Sequence, residues 1–243
     1  MKILDDLIST LNFDAAVRDI RLGTFQTAVV SKYCGLASTP HDKGPHIGRS
    51  PVKEAGKLTM KTVQELVNMV NSPEEMEAAV GMATINSLIE YDENKCGEIN
   101  AGDLLAQRGA GKNIAIVGHF PFVAGLRKIA GKLWVIEMNP REGDYPDTEA
   151  GTLIPQADVV GITGTALTNK TMESLLKLCR EDAFVVILGG TAPISPVFFD
   201  YGVDAMSGTK VIDTEMVLNY VSQGSTYRQI EGVRRLTLLK DSR

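Results

Sequence analysis

Three imidazoles, His41, His46 and His119, are the side chains of this sequence best suited to move a proton near neutral pH. His119 follows the apolar run 113–118 (NIAIVG), so it stands where a strand gives way to a loop and can act as acid or base on whatever binds there. Glu137 lies 19 residues beyond Gly118 at the end of a second apolar run, 133–138 (LWVIEM), with Asn139 just after it. Rossmann-like proteins place an acid near this point to accept hydrogen bonds from ribose hydroxyls, although a solvated acid is also common at a strand end. In GITGTALTN, Thr163, Gly164 and Thr165 offer two hydroxyls and pliant backbone before a helix amino terminus, which suits an anionic or polar heterocyclic ligand. Thr168 and Asn169 alone could cap that helix, which leaves the earlier three residues free for a ligand.

Other candidates admit two readings. Gly189 and Gly190 either let a ligand approach the backbone or relieve crowding at a turn. Lys32 and Tyr33 precede Cys34 at the end of a strand-like run, where a nearby lysine lowers a thiol pKa and burial makes the thiol inert. His46 lies in a long Gly/Pro-rich loop and could be delivered to a site by it.

Several chemistries lack their signatures. After the strand ending at Gly118 the chain reads His119-Phe120-Pro121, without the glycine offsets of a dinucleotide fingerprint, so NAD is not expected. There is no GxxxxGK[ST] for a triphosphate, and no HxxxH, HExxH or acidic cluster for a multidentate metal site. Cys34, Cys96 and Cys179 are odd in number and far apart, which fits free thiols in a reducing compartment.

The elements that must position these residues fall into two groups. Over 16–38, Phe25, Thr27 and Val29 alternate with Gln26, Ala28 and Val30, which predicts a small antiparallel sheet. A polar, broken loop follows at 38–57, then two helices; Ser72, Pro73 and Glu75 predict the start of the second, whose stripe Met76, Ala79, Val80 and Ala83 is core. The polar stretch 92–103 separates a first domain, 1–100, from a second, 101–243. In the second, the runs 113–118, 133–138, 158–163 and 183–189 are short, apolar and without clean alternation, as in strands covered on both faces. The intervening helix-like segments, best seen at 169–180, predict a mostly parallel, doubly wound sheet, and its strand ends are where a ligand binds.

With 44% hydrophobic and 23% charged residues, the 243-residue chain has the composition of an ordinary globular protein. A formal charge of -5 and no basic stripe argue against nucleic acid, and no apolar run is membrane-sized, so a cytoplasmic protein is expected, with a homo-oligomer allowed.

The order SKYCGLAS, a Gly/Pro-rich loop, two helices, IAIVGHFPFV, LWVIEMNP, ADVVGITGTALTN and VVILGGTAPISP resembles, over nearly the whole chain, a family known as putative heavy-metal chelation proteins. The resemblance implies a small α+β domain like the amino-terminal domain of enolases, followed by a Rossmann-like domain with partial likeness to methyltransferases. It further implies an interface site that condenses or hydrolyses a flavin-, pterin- or siderophore-like molecule. Enolase chemistry does not follow, since the catalytic barrel of that superfamily is absent. On this reading His119 and Lys32 are the catalytic groups, and the other candidates, with Gly118, bind a small-molecule ligand. The alternatives are a protein that binds or delivers a metal ion or metal chelate without catalysis, and an S-adenosylmethionine-binding protein of methyltransferase-like fold.

Overall fold

The alternation at 25–30 does form a strand, but one buried on both faces. In the computed structural model, which describes residues 1–40 and 51–240, β1 (Asp19–Leu22), β2 (Gln26–Val30) and β3 (Cys34–Ser38) pair antiparallel in chain order. All five residues of β2 are buried because helices cover both sides of this sheet. On one side Ala28, Val30 and Leu36 pack with Val217, Leu218 and Val221 of the distant carboxyl-terminal segment. On the other, Val29 and Ala37 join the cluster that holds Val80 and Ala83.

The amino terminus is helical, α1 (Lys2–Ser9), which the strand-rich reading of the first half did not anticipate. Ile3, Leu4 and Leu7 recur at helical spacing and are fully buried. After the loop come α2 (Val63–Asn68) and α3 (Glu75–Leu88). Ser72 does not form the expected reciprocal capping box. Its Oγ accepts the Glu74 N–H at 3.1 Å and donates to Glu77 Oε2 at 2.5 Å. The capping box belongs to α2, where Thr62 and Glu65 each accept the other's backbone N–H. The middle and end of α3 are buried on nearly all sides, and its Gly81 lies so close to Val70 that a β-carbon there would meet the Val70 nitrogen at 2.1 Å.

The rest of the chain builds an eight-stranded sheet. Its strands are β4 (Cys96–Gly97), β5 (Asn113–Val117), β6 (Lys132–Glu137), β7 (Tyr145–Pro146), β8 (Val159–Thr163), β9 (Phe184–Leu188), β10 (Ala205–Val211) and β11 (Val233–Leu239). The order is β4-β11-β10-β9-β8-β5-β6-β7. From β10 to β7 every pairing is parallel, and counted in chain order these strands run 3-2-1-4-5-6, the Rossmann arrangement. β11 runs antiparallel to both of its neighbours, β10 and β4.

Helices cover both faces of this sheet. α4 (Ala101–Gly109) and α5 (Val123–Leu126) bury Leu104, Leu105 and Leu126 against Ile114, Ile116 and Val186. The opposite face, with Ala115, Val160 and Ile187, packs against α6 (Ala150–Leu153), α7 (Thr165–Thr168), α8 (Met172–Leu176) and residues of the first half. The predicted helix at 169–180 is therefore shorter than its apolar stripe. The last helix, α9 (Thr214–Ser222), is the one that covers the small sheet. Among the described residues, no helix is long and apolar enough to cross a membrane.

Candidate functional site

The strand order reverses between β5 and β8, and at that point two connecting loops diverge to opposite sides of the sheet and leave a crevice. A cavity of about 530 Å³ opens there. Gly118, His119, Glu137, Thr163 and Thr165 line it, and from the first half so does Ser38.

β5 ends through Gly118, whose φ of +104° is a conformation open to glycine, while its amide still donates to the Ile136 carbonyl of β6 at 2.9 Å. This turn aims the next residue at the end of β6. The His119 N–H donates to Glu137 Oε1 at 2.8 Å, and the Met138 N–H donates to Glu137 Oε2 at 3.1 Å. Glu137 is thereby held in one orientation and keeps lone pairs for further donors.

The His119 ring is oriented in turn. Its Nδ1 lies 3.0 Å from Asp144 Oδ2, an oxygen that also accepts the Arg141 N–H at 3.1 Å. The Asp144 side chain is 1% exposed and the His119 side chain 29%, so a buried acid backs an imidazole open to the cavity. A carboxylate can only accept, which puts the proton of the neutral ring on Nδ1 and leaves Nε2 as a lone pair for a ligand's proton or for water.

Thr163 and Thr165 share a hydrogen bond of 2.9 Å between their hydroxyls, and Asn169 holds the next turn by accepting from the Thr171 N–H and hydroxyl. The helix after Thr163 spans only Thr165–Thr168, too short to build up the dipole of an anion site, which removes the reason for expecting an anionic ligand there. Gly164 serves packing. Its amide donates to the Leu188 carbonyl at 2.8 Å, and a β-carbon would meet the Ala192 nitrogen at 2.4 Å.

The remaining candidates lie at varying removes. Gly189 (φ +108°) borders Phe120 at the cavity, while Gly190 packs under the Tyr227 ring, where a β-carbon would sit 2.9 Å from ring atoms. Asn139 is exposed in the loop after β6 and is not part of the cavity wall. Lys32, Tyr33 and Cys34 stand at the other end of the β2–β3 hairpin from Ser38, so the structure does not bring them to His119. Lys32 pairs instead with Glu90 at 2.5 Å, which raises its pKa. Burial pushes the Cys34 thiol up to about 12, the inert alternative. His46 falls outside the described residues.

Asp144, Asp147 and Ser38 were not expected. Asp144 joins His119 only because the turn at 141–144 folds back, with the Asp144 N–H donating to the Arg141 carbonyl at 2.9 Å; a Gly-Asp pair just past a strand end was its one signal. Asp147, beside β7, had none. Among the described residues no group of three or more His, Cys, Asp and Glu is arranged to hold a metal ion.

Two family models, each described as "Putative heavy-metal chelation", match residues 4–89 and 100–240. An uncharacterized protein of Methanocaldococcus jannaschii is 29% identical over 182 residues, 72% of this chain and 70% of its own length. A crystal structure of a protein of unknown function from Desulfitobacterium hafniense superposes with a TM-score of 0.83 at 25% identity, over 98% of each chain. A second, from Pyrococcus horikoshii, gives 0.85 at 21% identity over 98% of this chain and 100% of its own, a likeness of fold.

Proposed function

The chain belongs to the family described as "Putative heavy-metal chelation", and we propose that its cavity binds and chemically modifies a small metal-chelating organic molecule by condensation or hydrolysis. The observation that carries this reading is His119 on the cavity wall, paired with the buried Asp144 side chain. A buried carboxylate fixes the imidazole through Nδ1 and leaves Nε2 uncommitted, and such a pair transfers protons far better than a free histidine. Glu137 accepts ligand hydroxyl or amino groups, the Thr163 and Thr165 hydroxyls supply donors or acceptors, and Phe120 offers an aromatic surface. Pterin-, flavin- and siderophore-like fragments have this mixture of flat ring and polar edge.

The described residues do not fit a metal ion held by the protein itself. No group of three or more ligating side chains comes together, His119 Nδ1 is committed to Asp144, and burial holds the Cys34 and Cys179 thiols near about 12, far from the thiolate that a metal takes. The reading therefore assigns the chelating groups to the small molecule.

The test is a turnover screen with pterins, flavin precursors and siderophore fragments, read by mass spectrometry. His119→Gln should lower kcat by roughly 10²–10⁴-fold, the contribution of a positioned acid or base, with ligand binding retained. Absence of turnover across the screen, or activity indifferent to His119→Gln, overturns the proposal.

A further inference from the structure

The cavity's charge is one-sided. Its wall carries the carboxylates of Glu137 and Asp147, and among the described lining residues there is no lysine or arginine. Lys170, the neighbour of Asn169, turns its ammonium outward to the Ser72 carbonyl. Among the described residues no anion-binding device replaces these cations. At the end of β5, where a Rossmann protein would seat phosphate on a glycine-rich turn, Phe120 and Phe122 stack with centroids 5.2 Å apart. Phe122 also packs on Gly102 so closely that a β-carbon there would lie 2.9 Å from the ring. The helix that follows, Val123–Leu126, has four residues. Apolar side chains, among them Leu175 and Leu178, also line the cavity.

We infer that the ligand is a flat ring bearing neutral or positively charged hydrogen-bond donors, hydroxyl or amino, and no phosphate or carboxylate. This rests on the proposed small-molecule site and narrows what that site accepts. A positive group is drawn to the two carboxylates, and a negative one meets them with no lysine or arginine among the described lining residues to compensate, which is discrimination by repulsion as much as by attraction. The oriented Glu137 takes hydroxyl or amino donors, and the apolar wall takes the ring.

Three catechols that share one vicinal diol and differ in charge provide the test: dopamine, catechol and 3,4-dihydroxyphenylacetate, titrated by calorimetry into the intact protein. Dopamine should bind most tightly, catechol next, and the acid at least about tenfold more weakly than dopamine. The difference should shrink as salt is raised. Asp147→Asn, at an exposed position, should narrow the ratio, and adding Glu137→Gln should bring it to within about threefold. Equal or tighter binding of the acid, a ratio unchanged in the double variant, or no binding by any of the three overturns the inference. The titration is repeated on His119→Gln, where the charge preference persists. Loss of turnover specificity for His119 then counts against the proposed chemistry alone, and loss of charge preference against this inference alone.

Discussion

At the scale of single residues the site depends on how neighbours orient groups that the sequence leaves free. Asp144→Asn keeps the shape but presents an amide that can donate to Nδ1 and so favours the wrong ring tautomer. It should lower kcat by roughly 10²-fold or more while KM changes little, as separate fits of kcat and KM would show. Elsewhere, Asp158 accepts the Asn113 N–H at 2.9 Å and pairs with Arg180 at 3.0 Å. These contacts hold its carboxyl below the ordinary aspartate range of about 3.9. A pKa lower in the folded than in the unfolded chain adds stability that is complete above the unfolded value and lost as pH falls through the folded one. Denaturant titrations at a series of acid pH values should therefore show a shallower acid limb for Asp158→Asn. His119 and Glu137 were legible because apolar runs mark strand ends. Asp144 was not, since its partnership is made by a loop's return path and no periodicity records such a path.

At the scale of elements, close backbone approach decides what the helices and strands tolerate. Gly81 in α3 lies against Val70, and Gly35 in β3 against the Ala83 carbonyl, where a β-carbon would come within 2.1 Å in each case. Gly81→Ala gains about 1 kcal/mol of helix propensity. Overpacking against rigid backbone costs about 3 kcal/mol or more, so the variant should be less stable by about 2 kcal/mol in urea unfolding. Gln26 is the opposite case: its Oε1 is buried without a hydrogen-bond partner among the described residues. Its Nε2 donates to the Phe25 carbonyl at 2.7 Å, but that carbonyl also accepts the Thr39 N–H at 3.0 Å, so an apolar side chain of similar length removes the desolvation cost of Oε1 without orphaning the carbonyl, and Gln26→Met should raise the Tm. Four of the parallel strands, β5, β6, β8 and β9, could be read because two-sided burial demands unbroken apolar runs. β10 and β11 could not, because Ser207 and Thr237 are buried at their pairing and satisfy each other through a 2.6 Å hydrogen bond, which makes a core strand look polar.

For the molecule as a whole, chain order is a poor guide to packing. The largest apolar cluster holds Ile3, Val80, Ala115, Ile187 and Leu238 together, so residues from near both ends of the chain share one core. α9 completes the small sheet of the first half. Far-UV and near-UV signals should consequently report one coincident unfolding transition in urea, and two separated transitions would show that the shared core does not couple the halves. Composition shifts and polar stretches revealed where the chain pauses, whereas interlocking of this kind depends on contacts made across the whole sequence. α1 carries that dependence furthest. The Ile3 N–H donates to Glu173 Oε1 at 2.9 Å across 170 positions, and Asp6 accepts the Tyr201 hydroxyl. On a ribosome that adds about 5–20 residues per second, α1 must wait roughly 10–30 s for the surface it docks on. Throughout that interval Ile3, Leu4 and Leu7 are without their native cover, which makes this nascent segment a ready substrate for chaperones.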